Sequence, residues 1–173
     1  MGAWGQADLE ALYARLEKPL YNVVYRTIWD REEAHDVVQE TFVRLWAMRR
    51  RVDPESVEPL AYRIGLNLAR SVRRKRKIRT MVGFDRVASL FRDSRDVESE
   101  LLEVERDARV RRAIDALPAD VRDVVLLTSF TDLGYREVAA SLRIPEGTVG
   151  SRRNRGLRLL RERLGGGSDE RTA

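Results

Sequence analysis

Apolar residues recur at helical spacing along most of the chain, and no stretch alternates in the two-residue rhythm of a half-buried strand. Residues 8–29 carry Leu9, Leu12, Leu16, Leu20, Val23, Val24 and Ile28 on one stripe, which Pro19 is expected to kink or to split into two helices. Asp30, followed three positions later by Glu33, has the form of a capping box. It predicts a helix to about Met48 with Ala34, Val37, Val38, Thr41, Leu45 and Trp46 turned inward. The opposite face sets Asp36, Gln39 and Glu40 beside Phe42, taken as exposed. Acidic and amide groups around an aromatic suit a protein-docking patch. After a polar loop broken at Pro54, helical character resumes near Pro59 through Leu60, Tyr62, Ile64, Leu66, Leu68 and Val72. That helix runs into Arg73-Arg74-Lys75-Arg76-Lys77. Residues 78–95 are weakly periodic and read mostly as linker. Further helices are predicted from Asp96 to Leu117, closed by Pro118, and from Ala119 to Phe130, with a turn at Thr131 to Gly134.

The C-terminal third organises the reading. Val138, Ala139 and Leu142 share one helical face, and Pro145 disfavours helical backbone at Ile144, so that helix ends there. Pro145 can then open a second helix, because its missing N–H costs nothing in a first turn. The second helix carries Val149 inward and Ser151, Arg152, Asn154 and Arg155 outward. A small residue at the crossing, a tight turn and a basic second helix form the pattern of a helix-turn-helix. Such a helix fits the major groove, where side chains on its N-terminal half reach base edges. Arg152, Arg153, Arg155, Arg158, Arg161 and Arg163 supply a positive field for phosphates.

Charge distribution sharpens this picture. The net charge is +5 and the pI about 9.9. The positive charge lies in two blocks, residues 73–79 and 109–164, divided by an acidic stretch over residues 80–108. A basic block at a helix C-terminus is favoured by the dipole alone. Six cations within residues 73–79 exceed that need and point to a nucleic-acid footprint. With no cysteine and His35 as the one histidine, disulfides and cysteine- or histidine-based metal sites and dyads are not expected. His35 itself reads as a solvent-facing helix residue. No apolar run approaches the roughly 20 residues of a membrane span, and MGAWGQADLE has no signal-peptide pattern. No cofactor, metal or catalytic residue is expected, and the location expected is cytoplasmic.

AHDVVQETFVRLW (Ala34 to Trp46), the Tyr62–Lys77 helix with Asn67 and its basic end, and the LP…GYREVAASLRIPEGTVGSR block occur in this order and spacing. Together they resemble the bacterial extracytoplasmic-function (ECF) sigma factors, the smallest members of the sigma-70 family. The resemblance implies an all-α chain of two small helical domains on a flexible linker. These are region 2 (residues 1–79) and region 4 (residues 109–164), with residues 80–108 as linker and start of the next helix, and residues 165–173 as a disordered tail. It implies docking on core RNA polymerase through Asp36, Gln39, Glu40 and Trp46. The −10 element would be held as single strand by Asn67, Ser71, Arg73 and Arg74, with the Met48–Glu58 loop capturing an extruded base. The −35 duplex would be read through Ser151, Asn154 and Arg155, with Thr148, Arg152 and Arg158 on phosphates. An anti-sigma factor clamped between the two domains is a further implied partner, and membrane insertion is not implied.

The chain departs from the family pattern at several positions. Arg143 stands where the turn usually has glycine, Arg153 where an apolar residue faces the core, and Gly150 where a basic phosphate contact is common. Ser71 replaces a usual aspartate and Leu60 a usual tryptophan. The competing reading is a stand-alone helix-turn-helix activator, which would lack the polymerase-docking patch on the Ala34–Trp46 helix.

Overall fold

A computed structural model describes residues 5–81 and 99–165 of the chain. Seven α-helices make up almost all of these residues: α1 (Gln6–Ile28), α2 (Arg31–Met48), α3 (Val57–Met81), α4 (Ser99–Asp115), α5 (Ala119–Phe130), α6 (Tyr135–Leu142) and α7 (Glu146–Gly165). The expected linker core and tail, residues 82–98 and 166–173, lie outside the described residues.

Helices α1, α2 and α3 pack as a bundle. The expected break at Pro19 does not occur, for Pro19 sits inside a continuous α1. An interior proline costs about 3 kcal/mol. Leu16, Leu20, Val23 and Val24 flank it, each essentially fully buried. At roughly 1.5–3 kcal/mol per buried side chain their packing outweighs the penalty. Gly65 of α3 permits the close approach, since a Cβ there would lie 2.8 Å from Leu20 Cδ1. Helix α1 ends at Trp29 in left-handed backbone (φ 59°), and Asp30 caps α2 by accepting the Glu33 N–H at 3.1 Å. The Glu33 carboxylate reaches Arg76 of α3 at 3.0 Å. The loop between α2 and α3 holds two short 3-10 turns, Arg49–Arg51 and Pro54–Ser56.

In the second body α5 is central, packed by α6 and α7. Arg122 is buried and its guanidinium donates to the carbonyls of Ile114 (3.1 Å), Asp115 (3.0 Å) and Leu117 (2.7 Å), satisfying the end of α4. Residues Val121 to Leu127 of α5 are all buried, more faces than one partner can cover. The remaining cover comes from the first bundle: α6 lies on α3 and α5 on α1. Leu126, Leu127, Leu133 and Val138 thus join one apolar core with Leu20, Tyr62 and Leu66. The two helical bodies are present as expected, and they share a face.

Candidate nucleic-acid and protein interfaces

The helix-turn-helix is built as its sequence suggests, with one strained residue. Gly134 precedes α6, and its N–H donates to the Glu137 carboxylate at 2.7 Å. Val138 and Ala139 are buried, as is Ser141, whose hydroxyl donates back to the Glu137 carbonyl. Arg143 ends the helix in left-handed backbone (φ 55°, ψ 48°), and the Ile144 N–H closes onto the Ala139 carbonyl at 3.1 Å. A glycine would adopt that conformation freely, so the arginine bears about 1–2 kcal/mol of strain. The Pro145 carbonyl accepts from the Thr148 N–H, and α7 starts at Glu146.

On α7, Val149 and Gly156 face the core. A Cβ at Gly156 would lie 2.3 Å from Val125 Cγ2, so this glycine sets how closely α7 approaches α5. Turned to solvent are Ser151, Asn154, Arg155 and Arg158, followed by Arg161 and Arg163. Ser151 donates to the Thr148 carbonyl at 3.0 Å, leaving its oxygen free to accept. Thr148 and Arg152 are half-buried at the flank, and Arg152 pairs with Asp120 of α5 at 3.1 Å. Arg153, expected to face the core, is half-buried and lines an open groove with Ser151, Asn154 and Arg158. Ser151, Asn154, Arg155 and Arg158 therefore share one open basic face.

On α2, Asp36, Gln39 and Glu40 are exposed together, and Glu40 is bridged to Arg44 at 2.7 Å. Phe42 corrects the expected patch: it is buried, its ring 4.8 Å from that of Tyr13. The apolar member of the exposed face is Val43, one helical turn beyond Gln39 and 62% exposed. Trp46 is half-buried and lies under the Arg49 guanidinium, 3.9 Å from its ring centre. His35 is exposed as expected, with its ring 4.5 Å from that of Tyr21.

The four residues expected on the −10 strand do not all share a face. Asn67, Ser71 and Arg74 follow i, i+4, i+7 along α3, and Asn67 and Arg74 are exposed. Ser71 lines a groove between α2 and α3 floored by Val37, Leu68 and Val72. Arg73 points the other way and donates to Asp115 of α4 at 2.7 Å. Arg70, which sequence reasoning missed, pairs with Asp123 of α5. Two further contacts join the bodies: the Arg26 guanidinium lies 3.9 Å over the Phe130 ring, and the Trp29 indole N–H donates to Asp115 at 3.3 Å.

Burial raises the Asp123 carboxyl above its usual range despite the opposing pull of Arg70. Glu58 is likewise pushed up by burial, with Glu137 and Asp132 adding repulsion against the attraction of Arg15. Arg63 is lowered by burial and by the Arg143 charge. The one available sequence signal for this seam was Asp123-Val124-Val125-Leu126-Leu127, a run too apolar for a helix with a single buried stripe. Among the described residues no cluster of three or more His, Cys, Asp or Glu could hold a metal, and no helix is long and apolar enough to cross a membrane.

Comparison with known proteins gives a consistent result. The family profile described as Sigma-70 region 2 matches residues 12–78, and that described as Sigma-70, region 4 matches residues 107–160. The chain is 32% identical over 162 residues to the ECF RNA polymerase sigma factor SigE of Mycolicibacterium smegmatis, aligning 87% of itself and 59% of that relative. It thus spans about three-fifths of that protein's length. It is 30% identical over 124 residues to the RNA polymerase sigma factor NccH of Alcaligenes xylosoxydans, covering 69% of this chain and 67% of NccH. The solved structure of CnrH in complex with the cytosolic domain of CnrY superposes with a TM-score of 0.73 at 27% identity, over 95% of this chain and 92% of that one.

Proposed function

Because the chain belongs to the sigma-70 family, among its ECF sigma factors, we propose that it is a promoter-specificity subunit of RNA polymerase. The observation that carries this reading is the pairing of two different surfaces on one chain. One is the exposed basic face of α7, suited to a duplex groove. The other is the Asp36/Gln39/Glu40/Val43 face of α2, suited to a protein. An activator that works alone has no need of the second.

In this reading the first body, through about residue 79, docks on core polymerase, and the second, residues 109–164, reads the −35 duplex. Ser151, Asn154 and Arg155 face base edges. Thr148, Arg152 and Arg158 lie on phosphates, Arg152 after exchanging Asp120 for a phosphate oxygen. Asn67, Ser71 and Arg74 hold the −10 strand, joined by Arg73 once it leaves Asp115. The Met48–Glu58 loop, pinned by half-buried Val52 and buried Val57, receives an extruded base. No bond is made or broken. Unstacking a base costs a few kcal/mol, and capturing it offsets that cost, so promoter opening is driven by binding. The place of action proposed is the cytoplasm, and an anti-sigma factor is proposed as a further partner, as the sigma factor RpoE of Bartonella quintana is found in complex with the anti-sigma factor NepR.

The test is co-elution of the purified chain with core polymerase, repeated with Asp36→Ala and Gln39→Ala. Both side chains are exposed, so folding is unaffected and the complex is expected to weaken. Tight binding to duplex promoter without polymerase, with no core complex, would favour the stand-alone activator instead.

A further inference from the structure

We propose that Asp115 and Asp123 stand in for promoter phosphates: in the free chain they hold Arg73 and Arg70 of α3, so the second body and the −10 strand compete for the same guanidiniums. The inference rests on the reading of α3 as the −10-facing helix. It adds Arg70 as a strand contact and the seam as an internal inhibitor.

The geometry has three parts. Arg73 sits 2.7 Å from Asp115, and Arg70 pairs with Asp123, whose side chain is only 8% exposed. Arg70 lies one helical turn from both Asn67 and Arg74, so a strand tracking along α3 would pass it, and Arg73, next to Arg74 but turned toward α4, would come within reach once released from Asp115. Behind the ion pairs the seam is apolar, with Leu126, Leu127 and Leu133 sharing the core of α1 and α3, and Arg26 stacked on Phe130. The occlusion is one-sided. Helix α6 lies against α3, while the α7 residues Ser151, Asn154, Arg155 and Arg158 stay in solvent. A closed chain can therefore present its duplex-reading face while two arginines of its strand-reading helix are held by the second body. Carboxylates answer arginines there as phosphates would, by charge-assisted hydrogen bonds to a planar fork.

The experiment measures binding of a short random-sequence single-stranded oligodeoxynucleotide to the full chain. Asp115→Asn/Asp123→Asn is expected to raise affinity about fivefold, in proportion to the ion pairs removed. Glu10→Gln/Glu32→Gln, which makes the same charge change away from the seam, should leave affinity within about twofold. Because Asp123 is buried, a second arm leaves it intact. The chain has no cysteine, so Arg26→Cys/Phe130→Cys can be joined across α1 and α5 with a short bis-maleimide. The bridged chain should lose strand binding about fivefold or more against the same variant capped with a monofunctional maleimide, which should still co-elute with core polymerase. Equal strand binding by bridged and capped chains, or failure of the bridge to form, overturns the latch while core binding stands. Failure of every form to bind core polymerase overturns the reading on which it rests.

Discussion

Two glycines six positions apart on α7 have opposite roles. A methyl at Gly156 would meet Val125 Cγ2 at 2.3 Å and Val121 Cγ1 at 2.9 Å. Both neighbours are β-branched and stiff in a helix, so the clash cannot be shed cheaply. Gly156→Ala is expected to destabilise the fold by about 1–3 kcal/mol. A methyl at Gly150 would meet only Tyr135 Cε2 at 3.6 Å, an ordinary contact. Gly150→Ala should instead stabilise by nearly the whole helix-propensity difference, about 0.8–1 kcal/mol. Urea midpoints of the two variants moving in the same direction would contradict this geometry. On the same helix, Arg155→Ala should lower binding to the preferred promoter by about 1–3 kcal/mol, with little effect on other sequences. Arg158→Ala should weaken all duplexes alike and reduce the salt slope. Identical sequence dependence for both variants would refute the division of labour. Other residues were harder to read. Arg143 could be suspected of left-handed backbone from its place in the turn, whereas Trp29, with φ 59°, carries no such signal. Its ring packs against Tyr25 one turn back at 5.6 Å, and its indole N–H makes a long-range hydrogen bond to Asp115.

At the scale of elements, the period of apolar residues was enough to place most of the helices, because each buries one stripe. It failed where burial came from more than one side. Phe42 looked exposed from its own helix, and Tyr13 of α1 covers it. Pro19 looked like a break, and the core around Leu16 and Leu20 overrides it. The start of α2 was legible from Asp30 with Glu33 three positions on, and its cap leads to a pH prediction. The Asp30 carboxyl is held below its ordinary value mainly by the Glu33 N–H, with Arg76 assisting and burial opposing. A lowered value in the folded chain means that the ionised form favours folding. That stability is present above the ordinary carboxylate range and is lost as pH falls through the lowered value. Asp30→Ala should therefore cost about 0.5–2 kcal/mol near neutral pH, and the gap between variant and parent should narrow in acid. Denaturant midpoints showing a constant or widening gap would rule out the carboxylate as the cap.

At the scale of the whole molecule, the sequence spoke for two bodies and their separate surfaces but was silent on how they meet. The seam depends on pairs far apart in the chain, Arg70 with Asp123 and Arg73 with Asp115, which no local pattern reports. Its consequence is that Asn67, Ser71 and Arg74 form one open group while Arg73 is engaged elsewhere. In the proposed function, core polymerase takes the α2 face and separates the bodies, freeing Arg70 and Arg73 for the −10 strand. The most direct measurement is transcription by sigma-free core polymerase on a pool of random promoter fragments, with and without the chain. New start sites sharing a common pair of upstream elements, and appearing only when the chain is added, are the result expected. No stable association with the polymerase and no start site beyond those of the core enzyme alone would contradict the account.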